Sequence, residues 1–140
     1  MRKILIAEDN PVNRELLHEL LEARGYAVDE AANGQEALQM IAQSRPDALL
    51  LDLNMPVLDG FATVRKIRED PTISSLPVLA VTAYAMRGDR EKTLQAGFDG
   101  YLSKPIIASQ LDAELERIWN KSNTTNPNLE KQAQAARNAT

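Results

Sequence analysis

Four short stretches of the 140-residue chain carry side chains that could do chemistry together. Each stretch follows an apolar run, directly or after one residue; the four are Glu8-Asp9, Asp52, Thr82-Ala83 and Lys104. If the three carboxylates converge to within roughly 4–6 Å, each pair repels by a few kcal/mol, so a cation or a lysine must compensate them. Oxygen ligands without cysteine or histidine select a hard divalent ion, for which we expect Mg²⁺, with Mn²⁺ as a substitute. A carboxylate nucleophile, Mg²⁺, a lysine and a hydroxyl together favour formation of an aspartyl phosphate.

Each of these residues has a simpler interpretation when it is considered alone. An acid after a strand is commonly a solvated helix cap, and a threonine there is commonly a turn residue. A lysine before a proline, as in Lys104-Pro105, is commonly a surface residue. The chemical interpretation therefore depends on the fold bringing all of them to one place.

Short apolar runs alternate with longer amphipathic runs, and this alternation predicts the elements that position the four stretches. The predicted strands are residues 3–7, 26–31, 48–51, 78–81 and 100–102, each followed by a predicted helix. Repeated βα units imply an α/β fold with a doubly wound, five-stranded parallel sheet flanked by five helices. Nothing reactive follows the second strand, which places that strand at an edge and predicts the strand order 2-1-3-4-5. The switch point then lies between strands one and three, where ligands bind in such sheets, beside Glu8, Asp9 and Asp52.

Composition excludes several classes of protein. The formal net charge is −4, which argues against a nucleic-acid binder with a broad basic face. The absence of cysteine excludes a disulfide scaffold and a thiol nucleophile, and a single histidine, His18, excludes a site with two imidazoles. The apolar runs are far shorter than the ~18 residues of a membrane span, and the N-terminal strand turns acidic too early for a secretory signal. We therefore expect a cytoplasmic protein that binds neither nucleic acid nor a membrane.

The composition changes near the end of the chain. Residues 1–121 contain all the predicted elements, whereas residues 122–140 have one large apolar residue, Leu129. We therefore predict one folded domain over 1–121 and a flexible C-terminal tail over 122–140.

Four motifs occur in order along the chain: Ala7-Glu8-Asp9-Asn10, Asp52 to Gly60 (DLNMPVLDG), Val81-Thr82-Ala83 and Lys104-Pro105. Together they resemble the receiver domain of two-component response regulators, which has the CheY-like, flavodoxin-like fold. The resemblance covers about residues 2–121. It implies a stand-alone receiver, since the chain ends soon after that region.

The resemblance implies roles for the acidic residues. Asp52 would be the phosphoacceptor. Mg²⁺ would be ligated by the carboxylates of Asp9 and Asp52 and by the backbone carbonyl of Asn54. Glu8 would act on the ion through a bound water and help to hold the lysine. Asn54 and Tyr84, at positions that tune dephosphorylation in this family, would set the rate of autodephosphorylation.

The resemblance also implies a phosphoryl-binding set and a switch. Thr82, the backbone of Ala83 and Lys104 would bind the phosphoryl group. Tyr101 would be the aromatic residue that moves together with Thr82, although a half-buried strand tyrosine is the simpler interpretation of that position. The Lys104-Pro105 peptide bond would be cis, a conformation that only proline makes inexpensive.

The implied function is that of a phosphorylation-driven switch. A histidine kinase or a phosphotransfer protein would phosphorylate Asp52, and the surface of the fourth helix, fifth strand and fifth helix would change. The chain would not be an enzyme beyond assisting its own phosphorylation and autodephosphorylation. Its output would be a protein contact with a target that the sequence does not name, made by a monomer or a phosphorylation-dependent homodimer.

Two other functions compete with this one. A haloacid-dehalogenase-type phosphatase also forms an aspartyl phosphate, but it needs an acid two residues after the nucleophile, where Asn54 stands here. A phosphorylation-independent interaction module would have lost an acid, the acceptor or the lysine, whereas this chain keeps all of them.

Overall fold

The computed structural model describes residues 1–55, 57–83 and 89–123, and its strands and helices alternate along the chain. In order, they are β1 (Lys3–Ala7), α1 (Pro11–Glu22), β2 (Ala27–Ala31), α2 (Gly34–Gln43), β3 (Ala48–Asp52), α3 (Gly60–Glu69), β4 (Val78–Thr82), α4 (Asp89–Gln95), β5 (Gly100–Ser103) and α5 (Ala108–Asn123). All neighbouring strands are parallel, in the order β2-β1-β3-β4-β5. The predicted fold class and strand order are both confirmed.

Polar side chains begin the first three helices and so fix where each helix leaves the sheet. The Asn10 side chain accepts hydrogen bonds from the backbone N–H groups of Val12 and Asn13, and proline occupies the first turn of α1. Asn33 caps α2 and Asp59 caps α3 in the same way. Such caps satisfy N–H groups that have no partner within the helix.

Two apolar clusters fill the faces of the sheet, and the central strands contribute to both. All residues of β3 and β4 are buried, as expected for strands covered by helices on both faces. Edge strand β2 is mostly half-buried. One cluster includes Leu49, Leu51 and Ile67, and the other includes Leu50 and Leu115.

The strand register brings the chemically relevant residues to one edge of the sheet. Ala7 of β1 pairs with Leu51 of β3, so the residues that follow β1 lie beside the end of β3. At the same end of the sheet, Asp52 of β3 pairs with Val81 of β4, and Thr82 of β4 pairs with Ser103 of β5. The carboxyl ends of four strands therefore meet, with β1 and β3 adjacent at the predicted switch point.

Two predicted features extend beyond the described residues. Helix α5 runs to Asn123, two residues past the predicted domain boundary, and residues 124–140 of the predicted tail lie outside the described part of the chain. Residues 84–88, which precede α4 and include the predicted site residue Tyr84, also lie outside the described part of the chain. Among the described residues, no helix has the length and apolar character needed to span a membrane.

Candidate functional site

Three carboxylates meet at the carboxyl ends of β1 and β3. One oxygen atom each from Glu8, Asp9 and Asp52 lies within 4.8 Å of the others. Glu8 is 1 % exposed and Asp52 is 4 % exposed, whereas Asp9 is exposed at the mouth of the cluster. An all-oxygen donor set that is partly buried and open on one side fits a hard divalent cation such as Mg²⁺.

Among the described residues, Lys104 is the one whose positively charged side chain contacts these acids. Its Nζ atom donates to Oε1 and Oε2 of Glu8 at 3.0 and 3.2 Å and to Oδ2 of Asp52 at 3.2 Å. Its backbone N–H donates to the carbonyl oxygen of Thr82 at 2.7 Å, which ties the end of β5 to the end of β4. The Lys104-Pro105 bond is cis, as predicted.

The protonation of Glu8 reflects its burial in this cluster. Burial raises the pKa of the Glu8 carboxyl from its ordinary value of 4.5 to about 7, and the hydrogen bond with the Asp52 side chain adds to the rise, while Lys104 opposes it. For Lys104, burial lowers the pKa of the ammonium group, but its contacts with Glu8 and Asp52 outweigh burial and the pKa is raised. One lysine therefore does not fully compensate the acids near neutral pH, and the cluster can accept a further cation.

Both oxygens of the Asp52 carboxylate have donors. The backbone N–H of Asn54 donates to Oδ1 at 3.0 Å, and Lys104 donates to Oδ2. The end of the β3–α3 loop packs closely against the end of β3. A Cβ atom on Gly60 would lie 2.7 Å from the carbonyl oxygen of Asp52 and 2.8 Å from Cα of Leu53. Glycine at position 60 is therefore required for this loop to fold against the end of β3.

The other predicted site residues lie around the same edge of the sheet. Thr82 is buried at the end of β4 (2 % exposed) and Ala83 is exposed beside it. Asn54 is exposed after β3, and Tyr101 is half-buried in β5, where it packs against the core. Tyr84 lies outside the described residues.

Two residues of α1 outside the predicted set of site residues also contact Glu8. Asn13 donates from Nδ2 to Oε1 of Glu8 at 3.1 Å. Arg14 donates from a terminal nitrogen to the backbone carbonyl of Glu8 at 2.9 Å and from Nε to Glu30 of β2 at 2.9 Å. The sequence feature that could have identified these two residues is Asn10, because its cap turns the start of α1 back over the end of β1.

His18 lies away from the carboxylate cluster, on the side of α1 that faces β2. Its Nδ1 is 2.8 Å from Glu30, and its Nε2 is 3.2 Å from Glu22. His18 is thus a residue of α1 that contacts two glutamates and is not part of the site.

Comparison with known proteins identifies the same family that the sequence motifs resemble. A family model for the response regulator receiver domain matches residues 4–116. The polar-differentiation response regulator DivK of Brucella anthropi is 40 % identical over 105 residues, which cover 75 % of this chain and 85 % of DivK.

Solved structures share the fold. The receiver domain of the sensor histidine kinase PA1611 from Pseudomonas aeruginosa is 41 % identical, with a TM-score of 0.76 and coverage of 83 % of this chain and 95 % of that chain. That protein has a magnesium ion coordinated in its active-site cleft. The chemotaxis protein CheY4 of Vibrio cholerae is 32 % identical, with a TM-score of 0.77 and coverage of 84 % and 98 %. With its parallel sheet, its acidic cluster and these matches, the chain belongs to the response regulator receiver domain family of two-component signalling.

Proposed function

We propose that this receiver accepts a phosphoryl group on Asp52 from a phosphohistidine of a histidine kinase or phosphotransfer protein, with Mg²⁺ as cofactor. The observation that carries the proposal is the convergence of Glu8, Asp9 and Asp52 within 4.8 Å under the ammonium group of Lys104. This cluster is complete, which argues against a phosphorylation-independent module. The protein then acts as a signalling switch rather than as an enzyme with a separate substrate.

The geometry supports Asp52 as the nucleophile. A carboxylate oxygen of Asp52 forms the new P–O bond while the P–N bond of the phosphohistidine breaks and the imidazole leaves with the electron pair. The backbone N–H of Asn54 orients the carboxylate through Oδ1. Lys104, already 3.2 Å from Oδ2, is placed to neutralise the incoming phosphoryl oxygens.

The cation site in this proposal uses residues of the same edge. Asp9 and Asp52 ligate through their carboxylates, Asn54 through its backbone carbonyl, and Glu8 through a bound water. Mg²⁺, when bound, supplies charge neutralisation at the transferred phosphoryl group. Asn54 and Tyr84 would modulate autodephosphorylation from positions beside the acceptor and after Thr82.

The proposed switch runs from Thr82 to Tyr101. Thr82 and the backbone of Ala83 would bind the phosphoryl group, and the register between β4 and β5 links Thr82 with the strand that carries Tyr101. Tyr101 lines a groove with a volume of about 330 Å³ between α4, β5 and α5. Arg90, Gln110 and Glu114 line the same groove. A movement of Thr82 toward the phosphoryl group would therefore change the surface of α4, β5 and α5, which we propose as the face that binds the target or a second receiver.

The phosphodonor would approach over α1 and the β5–α5 loop. Val12, Leu16 and Ile107 are large apolar residues exposed there, at 73 %, 49 % and 52 %. Leu16 also lines a small cleft with Lys104 and Pro105, so this apolar surface is continuous with the phosphoryl-accepting site. We propose that an apolar helix of the phosphohistidine-bearing protein packs on it.

This docking proposal predicts a selective defect. Leu16→Ala should slow phosphorylation by a phosphohistidine-bearing phosphotransfer domain by about tenfold, a loss of about 1.4 kcal/mol. It should leave phosphorylation by acetyl phosphate within about twofold, and Leu94→Ala, on α4, should affect neither reaction. Equal slowing with both donors in Leu16→Ala would contradict this docking surface.

The function itself is tested by intact-protein mass spectrometry after incubation with acetyl phosphate and Mg²⁺. We expect one added phosphoryl group, no adduct in excess EDTA and no adduct in Asp52→Asn. No adduct on the wild type, or an adduct that persists in Asp52→Asn, would overturn the proposal.

A further inference from the structure

Among the described residues, two side chains donate hydrogen bonds to the Glu8 carboxylate, and only one of them belongs to the set that the proposed function uses. Lys104 contacts both carboxylate oxygens, whereas the Asn13 amide contacts Oε1 alone, at 3.1 Å. Glu8 itself is 1 % exposed, so it can form few other hydrogen bonds. Its orientation therefore depends on these two donors together with its hydrogen bond to the Asp52 side chain.

The position of Asn13 is itself fixed by the local structure. The Asn10 side chain accepts the backbone N–H of Asn13 at 3.1 Å, and the next residue, Arg14, holds the backbone carbonyl of Glu8 at 2.9 Å. Asn13 and Arg14 thus bracket Glu8 from the first turns of α1, one at its carboxylate and the other at its main chain. An amide held in this way loses little freedom when it donates to Glu8.

We propose that Asn13 is a positioning residue for the cation site, which keeps the Glu8 carboxylate oriented toward the metal both alongside Lys104 and after Lys104 turns to the phosphoryl group. This inference rests on the proposed function. Lys104 contacts Glu8 and Asp52 together, so its movement toward a phosphoryl group on Asp52 weakens its hold on Glu8. Asn13 donates to Oε1 independently of that movement. Groups that orient metal ligands in this way commonly change metal affinity by tenfold or more when they are removed.

A role in helix stability would have a different signature. Helix α1 already has a side-chain cap at Asn10 and a proline in its first turn. Alanine has a higher helix propensity than asparagine, so Asn13→Ala should not weaken α1. A loss of metal affinity without a loss of stability therefore separates positioning from folding.

The test is calorimetric titration of the metal-free protein with MgCl₂, together with urea unfolding in EDTA. For Asn13→Ala we expect the dissociation constant for Mg²⁺ to rise about threefold to tenfold, with no loss of stability in EDTA. Asn13→Gln, which retains the amide donor, should return the constant to within about twofold of the wild type. The matched control, Gln39→Ala, removes an exposed amide from α2 and should leave the constant unchanged.

A dissociation constant in Asn13→Ala within twofold of the wild type would overturn this inference while leaving the proposed function intact. A rise that Gln39→Ala shares, or that Asn13→Gln does not reverse, would also overturn it. Absence of Mg²⁺ binding by the wild type would overturn the proposed function and the inference together.

Discussion

Glu8 is the most deeply buried of the three site carboxylates, and Asp9, next to it in the chain, is exposed. The two neighbours therefore occupy different electrostatic environments although both are carboxylic acids. Burial raises the pKa of Glu8 to about 7, so near neutral pH the metal-free site holds a proton that a cation would displace. Binding of Mg²⁺ at this site is accordingly expected to strengthen as the pH rises through 7.

The raised pKa of Glu8 predicts a pH-dependent effect on stability. The unfolded chain releases this proton near pH 4.5 and the folded protein near pH 7, so the contribution of Glu8 to stability is complete below about pH 4.5 and is lost as the pH rises through 7. Glu8→Gln stays neutral and should gain stability relative to the wild type between about pH 5 and 7.5. We expect a gain on the order of 1–3 kcal/mol at the upper end, measured by urea unfolding in EDTA.

The control for this prediction is Glu19→Gln, which makes the same change at an exposed position of α1. Its stability should follow the wild type within about 0.5 kcal/mol at every pH. If the difference in stability between Glu8→Gln and the wild type did not vary with pH over this range, the result would contradict a raised pKa of Glu8.

At the residue scale, the sequence predicted the groups at strand ends and missed those on the helix. Glu8, Asp52, Thr82 and Lys104 follow apolar runs, and parallel strands necessarily align their carboxyl ends. Asn13 reaches Glu8 only because α1 leaves the sheet at an angle that apolar spacing does not specify.

At the scale of elements, the β3–α3 loop depends on Gly60. A Cβ atom there would meet two backbone atoms, the carbonyl oxygen of Asp52 and Cα of Leu53, and neither can rotate away as a side chain could. Gly60→Ala should therefore destabilise the protein by about 1–3 kcal/mol and also slow phosphorylation by acetyl phosphate, because the backbone of the acceptor must shift.

Gly25→Ala provides the comparison. Gly25 follows α1 with φ +86° and has open space around its Cβ position, so alanine there adds backbone strain without displacing a neighbour. It should lower stability in urea unfolding while leaving the phosphorylation rate unchanged. A normal phosphorylation rate in Gly60→Ala would show that the loop tolerates the shift.

The positions of two strands in the sheet could be predicted from the sequence. The continuous apolar run of the third strand is typical of the centre of a parallel sheet, and the lack of a reactive group after the second strand predicted that it lies at an edge. The contacts of Arg68 could not be predicted from the sequence. Its guanidinium group donates hydrogen bonds from α3 to the backbone carbonyls of Gly97 and Leu76 and to the Asp99 carboxylate. Those partners are distant in sequence, and only the tertiary fold brings them together.

At the scale of the whole molecule, the two ends of the sheet carry different kinds of contact. The carboxyl end holds the acidic site, whereas near the opposite end Trp119 of α5 donates to the Tyr26 hydroxyl at 2.8 Å and packs under the Arg2 guanidinium. The proposed switch involves the first end and the groove of α4, β5 and α5. The contacts of Trp119 should therefore be preserved when the receiver is activated.

This separation predicts where signals move when a phosphoryl analogue binds. With beryllofluoride and Mg²⁺, amide resonances of Thr82, Tyr101 and Gln110 should shift in two-dimensional NMR spectra. The indole resonance of Trp119 should shift much less and serve as an internal reference. Shifts confined to the immediate neighbours of Asp52 would contradict the proposed coupling to the groove.

The central claim is that Asp52 carries the phosphoryl group, and the most direct measurement identifies the modified residue. The protein is phosphorylated with acetyl phosphate and Mg²⁺ and then reduced with borohydride, which converts an aspartyl phosphate to homoserine. Peptide mass spectrometry should find homoserine at position 52, with Asp9 and Glu8 unmodified. Modification at another acid, or none at Asp52 under conditions in which the intact protein gains mass, would contradict the account.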